Sequence, residues 1–218
     1  CVIMDQFASV FGKAGSLMRL DCRSLEFKYF PFDPKGYKLV LLNSQVKHEL
    51  ASSAYNDRRK SCENVVAVMK RHWPNVDTLR DATYDMLDEV RSEVSEEDAL
   101  RAKYVIGEKY RVLEVCVALE EGDYEEVGKK MYETHYGLSK EYEVSCPELD
   151  FLNDVAHSCG VTGSRIMGGG FGGCTINLVS DDLYANFIET AKKAYKEEFG
   201  KEPIVIDVVI GDGSRKLC

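Results

Sequence analysis

Six consecutive residues, Gly168-Gly169-Gly170-Phe171-Gly172-Gly173, hold five of the chain's seventeen glycines. Glycine loses more conformational freedom on folding than any other residue. Such a cluster is expected where the backbone needs unusual dihedrals or must let another group come close. Residues 164–167 before it and 174–179 after it read as strands. The segment between them is therefore a candidate backbone surface for a phosphate, or for a neighbouring phosphate-binding loop. Its letters also fit G-x-G-x-x-G through Gly168, Gly170 and Gly173. A dinucleotide site, however, needs a helix after the loop, and here a strand follows. No Gly-Lys-Ser/Thr follows either, which excludes a Walker loop. The plain alternative is a tight strand-to-strand connection, although ordinary hairpins need only one or two glycines.

Three further positions carry chemistry. Asp5 stands in Ile3-Met4-Asp5-Gln6-Phe7, in the first turn of a predicted helix. There a carboxylate balances the helix dipole; beside a hydroxyl nucleophile it would accept the proton. Tyr55 lies in Ser53-Ala54-Tyr55-Asn56-Asp57-Arg58-Arg59. An aromatic on a helical stripe is commonly core, yet a phenol can also offer one polar group to a sugar hydroxyl. Arg58 and Arg59 are candidate phosphate ligands, with a surface ion pair to Glu63, four residues on, as the alternative for Arg59.

The eight cysteines and four histidines show no close ligand pairs, so no metal site is expected in this chain. Free thiols in a reducing cytoplasm are the expectation. A net charge of −9 argues against nucleic acid as a main partner. No run approaches the ~20 apolar residues of a membrane helix, so no membrane partner is expected. The start has neither a basic region nor a small-residue cleavage site, so no signal peptide is expected. Cys1 is not a translation start, and residues are expected upstream.

The elements that must position these residues follow from periodicity and breakers. Helices are predicted over 4–11, 52–71, 79–94, 96–121, 123–140, 147–159 and 181–199, with Gly122, Gly160 and Gly200 as stops. On the helix over 52–71, Tyr55, Cys62, Val65, Val66 and Met69 fall on one side. Strands are predicted over 16–22, 25–32, 37–43, 164–167, 174–179 and 204–210. Pro31, Pro34 and Gly36 mark the best candidate boundary between domains. From residue 37 onward this is an α+β layer architecture, a split β-α-β unit with helices inserted after its first strand.

Three segments together resemble one family: Met4-Asp5-Gln6-Phe7-Ala8-Ser9 with Leu20-Asp21-Cys22-Arg23, then residues 53–59, then 165–174. In order and spacing they look like the galactokinases, members of the GHMP sugar and metabolite kinases. The resemblance implies residues 1–34 as the end of a ribosomal S5-like N-terminal catalytic domain. It implies residues 35–218 as a GHMP kinase C-terminal domain, ferredoxin-like, with a four-stranded, mostly antiparallel sheet and helices packed on one face. It implies ATP-dependent phosphorylation of galactose to galactose 1-phosphate, with galactose and ATP as partners in a cytoplasmic protein expected to be a monomer. Asp5 matches the catalytic carboxylate and Tyr55 a sugar-contacting tyrosine. Gly168, Gly169, Gly170, Phe171, Gly172 and Gly173 match the third motif, which supports the ATP phosphate loop. The ligands for ATP and Mg2+ are expected upstream of Cys1, so residues 1–218 alone are expected to be inactive. The family usually carries glycine where this chain has Val2. The same resemblance leaves open a non-catalytic galactose sensor, or a related kinase such as one for N-acetylgalactosamine.

Overall fold

Alternation dictates the central sheet. In β3 (Tyr37–Asn43), Val40 and Leu42 are fully buried on one face, while Leu39 and Leu41 face the other way. β4 is Gly163–Ile166, β5 is Cys174–Ser180 and β6 is Ile204–Val208. The order across the sheet is β4-β5-β3-β6, and every neighbouring pair is antiparallel. The computed structural model describes residues 2–47 and 51–215. Cys1, His48 and Cys218, counted above, lie outside the described residues, as does the Val2 side chain.

Helices α6 (Pro147–Ser158) and α7 (Asp181–Phe199) cover the Val40 face, where Leu152, Ala156, Phe187 and Tyr195 join Val40, Leu42 and Val179 in one core. The opposite face is also touched. Helix α5 (Tyr124–Tyr136) crosses β4 where Gly128 meets Gly163, a contact too close for any β-carbon. Phe30 and Phe32 pack with Leu119, Val127 and Leu178 beside it. The antiparallel sheet with its helical layer is the expected fold class.

A second core joins two long helices, α2 (Ala51–His72) and α4 (Glu96–Glu121), through Val65, Met69, Ala99, Ala102 and Ile106. The start of α4 is capped by Ser95, whose Oγ accepts from the Asp98 N–H at 3.0 Å. Gly122, at φ 72°, ends it in the left-handed conformation. The helix expected over 79–94 is shorter, α3 (Tyr84–Glu89) followed by a 3-10 turn, Arg91–Glu93. The Asp81 carboxylate accepts from the Asp77 and Thr78 N–H groups, which fixes a turn over the positions where the periodicity predicted helix.

The chain begins with α1 (Val2–Phe11) and an antiparallel ribbon of β1 (Ser16–Leu20) and β2 (Phe27–Pro31). Phe7, Phe11, Phe27 and Tyr29 stack between helix and ribbon, with ring centroids 4.4–5.4 Å apart. The C-terminal segment returns to this region. Gly213 N–H donates to the Gly12 carbonyl at 2.7 Å, and Ser214 N–H to that of Ser9 at 2.8 Å. No helix among the described residues is long and apolar enough to cross a membrane.

Candidate functional site

β4 and β5 are antiparallel neighbours, so the chain between them must reverse, and the glycine segment is that reversal. Met167 N–H closes its base on the Cys174 carbonyl at 2.9 Å. Beyond the base it departs from hairpin geometry. Gly170 and Gly172 have φ of 80° and 134°, and a β-carbon at either would strike backbone. At Gly170 it would lie 2.1 Å from the Val144 carbonyl oxygen, and at Gly172 2.7 Å from that of Val46. Phe171 between them also has positive φ, 60°. Its N–H donates to the Val144 carbonyl at 2.6 Å. On the other side, Ser44 N–H and Oγ both donate to the Gly173 carbonyl, at 2.9 and 2.8 Å. The loop is thus wedged between the turn after β3 and an irregular strap at 142–146. Its outer residues differ. Gly168 and Gly169 are exposed, and open space lies where their side chains would be.

Helix α2 reaches the same strap. Arg58 donates from Nε to the Tyr142 carbonyl at 3.1 Å and from Nη2 to the Glu143 carbonyl at 2.6 Å. Its guanidinium carbon lies 5.8 Å from the centre of the Phe171 ring. Arg58 is therefore engaged internally, and Arg59 pairs with Glu63 at 2.7 Å as the surface alternative anticipated. Tyr55, one turn before Arg58, is 52% exposed and belongs to no core. The sequence stripe that grouped it with Val65 and Met69 is corrected at that end: the apolar side of α2 is buried from Ser61 onward, and Tyr55 before it is exposed. Burial pushes the neighbouring Tyr142 phenol above its ordinary range, so it stays neutral.

Asp5 is exposed on α1, and its carboxylate has no hydrogen-bond or ion-pair partner among the described residues. No hydrogen bond or ion pair among them joins it to Tyr55 or to the glycine loop. The structure thus brings the Tyr55 helix and the loop together through the strap, and no hydrogen bond among the described residues ties Asp5 to either. Sequence reasoning missed Ser44, Val46 and residues 142–144. Apart from the Ser44 hydroxyl, these act through backbone atoms, which leave no signature of residue type; only Pro147 after the strap marks its end.

Comparison with known proteins places this arrangement. Residues 116–197 match the family model described as GHMP kinases C terminal. Over that span the chain is similar to the C-terminal domain of the GHMP kinases. The matched span runs from the last turns of α4 to α7 and includes the glycine loop. Along its whole length the chain is 41% identical to the galactokinase of Clostridium beijerinckii and 40% identical to that of Homo sapiens, covering 56% and 54% of those proteins. The crystal structure of Lactococcus lactis galactokinase complexed with galactose superposes with a TM-score of 0.92 at 30% identity, over 99% of this chain and 56% of that one. Mevalonate kinase of L. major, at 19% identity and a TM-score of 0.56, shares the fold. The chain spans about half the length of the curated relatives it matches.

Proposed function

We propose that this chain is part of a galactokinase, an ATP-dependent kinase of galactose, in which residues 1–34 complete a preceding catalytic domain and residues 35–218 form the C-terminal one. The observation that carries this reading is the outer edge of the glycine loop. Gly168 and Gly169 are exposed, side-chain-free backbone on a loop fixed from both sides. Nothing inside the described structure requires glycine at Gly169, which lacks a positive φ and has free space around it. A surface of this kind suits close packing by a second backbone, and a phosphate-binding loop is the partner that the identity to galactokinases suggests.

Phosphoryl transfer needs positioning and charge stabilisation more than covalent chemistry from the protein. In this reading Asp5 accepts the proton of the anomeric hydroxyl as the hydroxyl oxygen attacks the terminal phosphorus of ATP, and the bond from that phosphorus to the bridging oxygen breaks to release ADP. Tyr55 contacts the sugar, and the loop supports the phosphate-binding segment. Among the described residues no group of three or more His, Cys, Asp or Glu is placed to hold a metal ion, and no step is assigned to one here. The free cysteines among the described residues suit a cytoplasmic enzyme.

The test is galactose-dependent ATP consumption by the intact protein, with Asp5→Asn beside it. The substitution is expected to lower turnover by about 10²–10⁴-fold while galactose still binds. Near-normal turnover removes Asp5 from the role of base, and no turnover in the unaltered intact protein removes the reading. Residues 1–218 alone are expected to be inactive.

A further inference from the structure

Arg58 sits where three separate parts of the chain meet, and its hydrogen bonds are unusual for a surface arginine. Its side chain is 15% exposed and has no close carboxylate partner; the Glu143 carboxylate is 3.9 Å away. Instead its fork takes the carbonyls of two successive strap residues, Tyr142 and Glu143. A planar, always-charged fork can do this, and a lysine cannot. The next strap carbonyl, that of Val144, receives the Phe171 N–H from the glycine loop. The Phe171 ring in turn lies within cation–π range of the same guanidinium. Glu143 and Phe171 both hold positive φ, 54° and 60°, which residues other than glycine seldom adopt. Such strain persists only where the surroundings over-determine it. Here they do: the Glu143 carboxylate is also bound at 2.8 Å by Arg101, whose side chain is 6% exposed and whose Nη1 donates to Ser61 on α2.

We propose that Arg58 is a positioning residue that sets the glycine loop relative to the Tyr55 helix, acting through the backbone of residues 142–144. The proposal rests on the galactokinase reading for its kinetic consequence, but not for its physical content. Helix α2 is fixed independently by Val65 and Met69 against α4, so loss of the fork releases the strap and loop and leaves the helix in place. In enzymatic terms the ATP side of the reaction suffers and the galactose side does not.

The experiment uses the intact protein with Arg58→Gln and Arg58→Lys. Both are expected to raise the KM for ATP at least fivefold and to leave the KM for galactose within twofold. Backbone amide exchange is read in parallel. Peptides covering 142–146 and 168–173 are expected to exchange at least tenfold faster, with α6 and α7 unchanged. A role confined to stability predicts a lower melting temperature with both KM values and loop exchange unaltered, and that result overturns the proposal. Equal changes in both KM values also overturn it. Should the unaltered protein lack galactose-dependent ATP consumption, the galactokinase reading falls and loop exchange alone decides the coupling.

Discussion

Gly169 and Gly170 are neighbours that lack side chains for opposite reasons. Gly170 is buried at φ 80° against the Val144 carbonyl, so Ala there meets both a left-handed backbone and a clash. Left-handed conformation alone costs a non-glycine residue about 1–2 kcal/mol, and urea unfolding of Gly170→Ala is expected to show at least that loss. Gly169 faces open space without positive φ, and Gly169→Ala is expected to stay within about 0.5 kcal/mol of the parent. On the galactokinase reading its effect is expected instead in the intact protein, as a lowered kcat/KM for ATP, since a methyl group there obstructs a backbone packed on the loop. Equal loss of stability in the two variants would show that the distinction is wrong. The sequence made the cluster visible but not this division of labour, because both residues have the same letter. Tyr55 and Arg58 show the converse. Their types suggested a core aromatic and a phosphate ligand; folding exposes the first and turns the second inward, onto carbonyls 84 and 85 positions away.

The strap at 142–146 is the element that sequence left blank, and its other anchor is Asp150 at the start of α6. Ser145 Oγ and Ser139 Oγ donate to Asp150 at 2.5 and 2.8 Å, and buried His135 lies 3.2 Å away with Lys140 at 3.7 Å. Burial by itself raises the Asp150 carboxyl. The hydrogen bonds from His135, Ser145 and Ser139 outweigh it and hold the group at about 2, below its usual 3.8. A carboxylate depressed by folding adds stability above its unfolded pKa, and that stability is lost as pH falls toward the folded value. The strap is therefore expected to loosen between about pH 4 and pH 2. Amide exchange over 139–146 should accelerate in that window, and Asp150→Asn should abolish the step; a step that survives in the variant would assign it to another carboxylate. Regular elements were far more legible. Ser95, Gly122 and Gly200 carry the physical reason for a helix end in their own chemistry. At 79–94 the same method failed because the Asp81 side chain outcompetes the helix for local N–H groups, which apolar periodicity does not register.

At the scale of the molecule, the ribbon formed by the first two strands is not an appendage. A two-stranded ribbon is marginal in water, and this one gains its support by inserting Phe30 and Phe32, 3% and 6% exposed, among Leu119, Val127 and Leu178. A chain beginning at residue 35 is expected to lose roughly 3 kcal/mol or more relative to residues 1–218, since each phenylalanine removed from a core costs about that much. Denaturant midpoints of the two chains measure it, and equal midpoints would make the ribbon energetically separate. Pro31, Pro34 and Gly36 offered a boundary there from composition alone; whether aromatic residues on one side reach a core on the other is a matter of three-dimensional contact that breakers do not encode.

Glycines 12 and 213 touch backbone to backbone: a β-carbon on Gly213 would lie 2.5 Å from the Val10 carbonyl oxygen and 2.7 Å from the Gly12 nitrogen. The helix bearing Asp5 is consequently moored to residues 213 and 214, some two hundred positions away. Order at one end is then thermodynamically linked to order at the other. On the galactokinase reading, a substrate held at Asp5 is expected to slow exchange of the Ser214 amide, which donates to the Ser9 carbonyl of the same helix.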